Sequence, residues 1–119
     1  MNAIAAKYAA HARFLTVYIQ EAHPTDEWAM DSNDEAGICY AQPRTLADRL
    51  AIARDLVARG NWKLPLVVDP IENPADTLYA AWPERLYVVG TDGRIAYKGK
   101  TGPFGFEPDE VDAWLDAHP

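Results

Sequence analysis

Glu21 and His23 stand one residue apart in the stretch VYIQEAHPTDEW, directly after a run of β-branched and aromatic residues. A carboxylate and an imidazole at the end of a strand can move protons at neutral pH, because a histidine near its reference pKa of ~6.5 both takes and gives one. A neighbouring carboxylate can hold the ring and favour its charged form. The plain alternative is that Glu21 caps a turn while His23 and Pro24 only shape the loop. Arg85 opens a later strand and could meet a polar end of a small-molecule substrate, or could equally be a surface residue paired with an acid such as Glu84. Trp28, Trp82 and Phe104 could wall an aromatic pocket or pack the core. Cys39 is the single cysteine. It is a candidate redox thiol or a small buried hydrophobe, and without a second cysteine it forms no disulfide and no CxxC pair within the chain.

Other chemistries lose their footing on spacing. GKT at residues 99–101 suggests a phosphate loop, but the required earlier glycine is Arg94, and Gly102-Pro103 follows where a helix should start. The acids Asp26, Glu27, Asp31, Asp34 and Glu35 do not match a calcium loop, whose glycine and bidentate acid would fall on Ala36 and Gln42. Ser32, the only serine, has no GxSxG setting. His11, His23, His118 and Cys39 lack metal-ligand spacing, so no metal is expected. A net charge of −7 with dispersed Lys and Arg speaks against nucleic acid. No apolar run approaches the ~20 residues of a spanning helix, and the first 13 residues lack the apolar segment of a secretory signal. The expectation is a cytoplasmic protein without a membrane partner. A chain of 119 residues, 49% hydrophobic and 24% charged, fits one globular domain over residues 1–119.

The elements that must position these residues follow from periodicity. Residues 2–13 carry Ile4, Ala5, Tyr8 and Ala12 at helical spacing and read as the back half of a helix. Residues 14–19 (FLTVYI) predict a central strand buried on both faces, followed by a long functional loop to about Pro43. Thr45 caps a helix that runs to about Arg59, with Leu46, Leu50, Ala53, Leu56 and Val57 inward and Gly60 as its stop. LPLVV at 64–68 is the second strand, and Pro74 opens a short helix to about Ala81. Residues 85–89 and 94–98 flank GTDG as a hairpin, and Glu107-Pro108 starts a last helix with Val111, Trp114 and Leu115 inward. This α/β order, closing with a β-hairpin and a helix around a mixed sheet, is that of a thioredoxin-like fold, and Pro83 stands where such folds carry a cis-proline. The first strand of that fold has no counterpart.

The segments FLTVYIQEAHPTDEW, PLVVD, YAAWPERLYVV, GRIAYKGKTGPFGF and PDEVDAWL, taken together, resemble the iodothyronine deiodinase family and its bacterial relatives across nearly the whole chain. The resemblance implies a thiol or selenol oxidoreductase, with reductive chemistry by a cysteine or selenocysteine at the end of the first strand, on a small aromatic or halogenated substrate. It implies an external thiol reductant and no bound cofactor. It assigns Glu21 and His23 to proton transfer and substrate orientation, and Arg85 to the substrate's polar end. Where the vertebrate enzymes have a second histidine, this chain has Pro43, which points to a bacterial-type relative with another substrate. The nucleophile would precede Met1: selenocysteine is encoded by UGA, and a reading frame restarted after that codon would begin at such a methionine. Two functions stay open. One is a deiodinase-like reductase whose nucleophile lies outside these residues; the other is a non-catalytic binding module or homodimer that uses its open sheet edges.

Overall fold

The computed structural model describes residues 1–27 and 40–119. Trp28 and Cys39 lie outside the described residues. Among the described residues eight elements follow one another as α1 (Asn2–Lys7), β1 (Thr16–Tyr18), α2 (Leu46–Arg59), β2 (Leu66–Val68), α3 (Pro74–Tyr79), β3 (Tyr87–Val89), β4 (Ile95–Lys98) and α4 (Pro108–Ala117). The protein is mixed α/β, in the element order that the periodicities predict.

Two small sheets carry the strands. β1 and β2 pair in parallel with Thr16 against Leu66, Val17 against Val67 and Tyr18 against Val68. β3 and β4 form an antiparallel hairpin with Tyr87 against Lys98 and Val88 against Tyr97, and the register slips between Val88 and Val89. The turn between them needs Gly93 at φ 78°, a left-handed conformation that glycine adopts without steric cost. Among the described residues β1 pairs only with β2 and β3 only with β4. Among the described residues each of these strands therefore keeps one edge without a ladder.

Two expectations about burial are corrected. The strand at 14–19 is not buried on both faces: only Thr16–Tyr18 is extended into a ladder, and Val17 is 41% exposed. The continuous apolar run implied a strand covered on both faces, but Val17 points to a face that no described element covers fully, so the β1 run is less enclosed than its composition suggests. The inner face of α2 is also shifted. Ala53 is buried as expected, but Leu46, Leu56 and Val57 are exposed and Arg49, which was not expected inward, is buried. Its ends match expectation: the Thr45 side chain accepts from the Asp48 amide while the Asp48 carboxylate accepts from the Thr45 amide, a reciprocal cap, and Gly60 closes the helix.

The apolar core sits elsewhere. Tyr8, Val111 and Leu115 are buried together, with Ile4, Phe14, Leu86, Val88, Tyr97 and Trp114 packed around them. α1 is shorter than expected, and Tyr8 just beyond it still enters this core, where its hydroxyl donates to the Asp112 carbonyl at 2.8 Å. Lys7 adds ion pairs to Asp112 and Asp116 at 3.0 and 2.9 Å. The two ends of the chain are thereby joined on the hairpin side of the molecule.

Candidate functional site

Beyond the carboxyl ends of β1 and β2 the chain gathers polar groups, the position at which open parallel sheets form sites. The Asp69 amide donates to the Tyr18 carbonyl at 2.9 Å, so the loops leaving the two strands start side by side. Asp69 is 2% exposed, and its two carboxylate oxygens accept from the Ala75 and Asp76 amides at 3.0 Å each, capping α3. Asp76, also buried, accepts from the Gln20 side chain at 2.8 Å and from the Trp82 amide at 2.9 Å. One carboxylate thus ties the end of β1 to the turn before β3.

Glu21 is fixed at both its backbone and its side chain. Its amide donates to Gln42 Oε1 at 3.0 Å, and its carbonyl accepts from Gln42 Nε2 at 3.1 Å. Gln42 is in turn held by Asp26, which accepts from its amide at 2.8 Å. The Tyr18 hydroxyl donates to the Glu21 carboxylate. Burial pushes the Glu21 carboxyl above its ordinary value, while the charge of Arg49 pulls it back. Pro43 is buried beside Gln42 in the wall of a separate open cleft lined also by Asp26, Arg44 and Asp48.

His23 opens onto a different surface. A cleft of about 340 Å³ is lined by Ala22, His23, Trp82, Pro83, Glu84, Gly102 and Pro103. That volume lies within the ~300–1,000 Å³ of small-molecule sites. The Trp82-Pro83 peptide is cis, as the sequence order predicts, and so is Gly102-Pro103. The Gly102 amide donates to the Glu84 carbonyl at 2.9 Å. A Cβ on Gly102 would come within 2.4 Å of the Glu84 carboxylate, so only glycine lets that side chain lie against the cleft wall. Trp82 is 40% exposed and Phe104 97%, so neither serves as core. Trp82 walls the cleft, and Phe104 projects from the loop next to it.

The other expected site residues are placed less centrally. Arg85 is not among the residues lining the cleft. Its Nε donates to the Gly99 carbonyl at 2.8 Å and its Nη1 to the Ala80 carbonyl at 3.1 Å, and the guanidinium lies 5.7 Å from the Tyr87 ring. These contacts bind α3 to the hairpin through backbone carbonyls. Glu21 does not line the cleft either, although it is two residues from His23. Residues of the site missed in the sequence include Gln42, Asp69, Asp76 and Arg49. Only Arg49 left a signal, since it falls inside the apolar stripe of α2, three residues after Leu46 and four before Ala53.

The family model described as iodothyronine deiodinase matches residues 1–118. The chain belongs to the iodothyronine deiodinase family. Relatives within it include type I iodothyronine deiodinase of Xenopus laevis, 41% identical over 115 residues that make up 97% of this chain and 43% of that protein. Thyroxine 5-deiodinase of Gallus gallus is 37% identical over 97% of this chain and 43% of its own length. The Bos taurus thyroxine 5-deiodinase is 37% identical over 94% of this chain and 36% of its own. The chain thus spans less than half the length of these deiodinases. All three are vertebrate proteins, and they lend no support to the expected bacterial-type kinship. Among the described residues no helix is long and apolar enough to cross a membrane.

Proposed function

We propose that this chain is the scaffold and proton-handling part of a deiodinase-like reductive site in a thioredoxin-like fold, acting with a cysteine or selenocysteine outside residues 1–119. The cleft supports the reading best: within a deiodinase-family chain, His23 opens onto a small-molecule cavity walled by Trp82, Pro83 and Pro103. A flat halogenated aromatic ring suits such a wall, and an imidazole at its edge can supply a proton.

The reaction balances as follows. The chalcogenolate attacks the iodine of an aryl iodide, the carbon–iodine bond breaks, and the carbon takes a proton delivered through His23. The products are the deiodinated arene and a chalcogen–iodine bond. Two equivalents of an external thiol then form a disulfide, release iodide and two protons, and regenerate the chalcogenolate. No bound cofactor is required, and a thiol-rich cytoplasm would supply the reductant. Trp28 would contact the substrate on this reading, Arg85 would brace the hairpin through the Gly99 and Ala80 carbonyls rather than meet the substrate, and Cys39 could serve as one of the two thiols in the second half-reaction.

The test is iodide release from an iodothyronine in the presence of dithiothreitol, with the coding frame upstream of Met1 included. Release should depend on an upstream cysteine or in-frame UGA and fall about 100-fold or more in His23→Ala, the usual scale for a proton-transfer group. An upstream frame without such a codon, or release indifferent to His23→Ala, overturns the reading. A second reading has its own observation: the edges of β1 and β3 that carry no ladder among the described residues, beside half-exposed Val17 and Val89. These would suit a module that binds a partner or a second copy through strand pairing. A concentration-dependent dimer, unaffected by Glu21→Ala and His23→Ala and releasing no iodide, would favour it.

A further inference from the structure

The cis-proline cleft carries a charge that the proposed reaction does not use. Glu84 lines it together with Trp82, Pro83, Gly102 and Pro103, and the Gly102 amide donates to the Glu84 carbonyl at 2.9 Å. The Glu84 side chain folds back over Gly102, so that its Cγ and carboxylate fill the space a Cβ there would need. The carboxylate is thereby held at the cleft wall, and Glu84 as a whole is half-buried. Among the described residues the ion pairs involve Lys7, Arg59 and Lys100 and leave Glu84 out. Arg85, next in the chain, turns its guanidinium to the Gly99 and Ala80 carbonyls instead. No lysine or arginine lines the cleft.

A carboxylate fixed in a partly apolar wall without a cation beside it favours a ligand that brings one. An ammonium group would donate a charge-assisted hydrogen bond to it, and the Trp82 ring, 40% exposed in the same wall, offers a π face to the same charge. A ligand carboxylate in that place would meet a like charge. The prolines and the indole leave apolar surface for the rest of the ligand, which suits an aromatic ring. We propose that the cleft selects aromatic ligands bearing an ammonium group, with Glu84 as the specificity-determining residue that receives it. The inference rests on the proposed function for the aryl-iodide part of the ligand, whereas the preference for an amine stands on Glu84 and Trp82.

The test is calorimetric titration of the chain with iodotyramine and with its carboxylate counterpart, (hydroxyiodophenyl)propionate, which share a ring and differ in the charge of the tail. The amine should bind about tenfold more tightly. Glu84→Gln keeps the shape against Gly102 but removes the charge, and should bring the two affinities within about twofold of each other. Glu72→Gln, at an exposed acid outside the cleft, changes the net charge equally and should leave the preference intact. Equal affinities in the wild type, no saturable binding of the amine, or a preference that survives Glu84→Gln overturns the inference. A preference that Glu72→Gln also removes overturns it too, because overall charge would then account for it. If Glu84→Gln does not fold, nuclear Overhauser contacts in the wild-type complex give the answer. The methylene beside the ammonium should meet the Glu84 Cγ protons, and contacts elsewhere alone overturn the inference. A Glu84-dependent preference without iodide release overturns the proposed reaction and leaves the amine subsite standing; iodide release without the preference overturns the subsite alone.

Discussion

The two halves of the molecule are held by different physics. On the hairpin side, α1, α4, β3 and β4 close over Tyr8, Val111 and Leu115, and stability there comes from apolar area removed from water. On the side of β1 and β2 the buried groups include Arg49, Asp69 and Asp76, whose hydrogen bonds run to backbone or amide partners. An apolar core tolerates small shifts of shape, whereas a buried polar cluster holds only one arrangement, because any movement leaves a donor or acceptor unpaired. The half that fixes geometry is also the half that carries Glu21 and leads into His23.

The comparison can be broken by substitution. Leu115→Ala, which empties the centre of the apolar cluster, should cost about 3 kcal/mol in denaturant unfolding and leave the Glu21 titration unchanged. A shifted Glu21 midpoint in that variant would mean the halves are not separate. Asp69→Ala removes the acceptor of the buried Asp76 amide and the part-buried Ala75 amide at the start of α3 and should cost about 2 kcal/mol. Hydrogen exchange should quicken first at Ala75 and Asp76; uniform quickening through the hairpin would contradict a local role.

The seam between the halves allows a smaller change of opposite sign. Ala80 closes α3 at φ 47°, a conformation unfavourable for a side chain bearing Cβ, and its carbonyl receives Arg85 from the hairpin. Ala80→Gly should therefore stabilise the protein by about 0.5–1 kcal/mol, seen as a higher unfolding midpoint. A loss of stability would show that the strain is not relieved by glycine.

The smallest effect is the pH dependence contributed by Glu21. Burial raises its folded-state value above the ordinary 4.5, with Arg49 opposing. A raised carboxyl binds its proton more tightly when folded, so its contribution is fully present below the unfolded value and is lost as pH rises through the folded value. Wild type should therefore lose stability relative to Glu21→Gln as pH rises above about 4.5. A difference that is constant with pH would mean that Glu21 titrates alike in both states.

Legibility in the sequence followed the range of each interaction. The reciprocal cap of Thr45 and Asp48 spans three residues, and its chemistry is visible in TLAD. The Gly93 turn and Pro108 at the start of α4 are equally local. Arg49 was half legible: a charged residue inside an apolar stripe marks something buried, but not what it faces. The clamp of Gln42 on Glu21 joins residues 21 apart, and Asp76 meets Gln20 across 56. Neither pairing leaves a trace in spacing, because the chain between the partners sets no fixed distance.

What the sequence determined by itself was the order and type of the elements, the placement of Glu21 and His23 just past a strand end, and kinship with the iodothyronine deiodinases. Propensity, capping and periodicity act within a few residues and are written directly in the chain. Only the tertiary structure decided that Val17 of β1 stays exposed, that α2 buries Arg49 while Leu46 and Leu56 face outward, and that His23 opens onto the cis-proline cleft while Glu21 is held between Tyr18 and Gln42. Burial and charge compensation depend on which distant segments come together, and folding alone sets that.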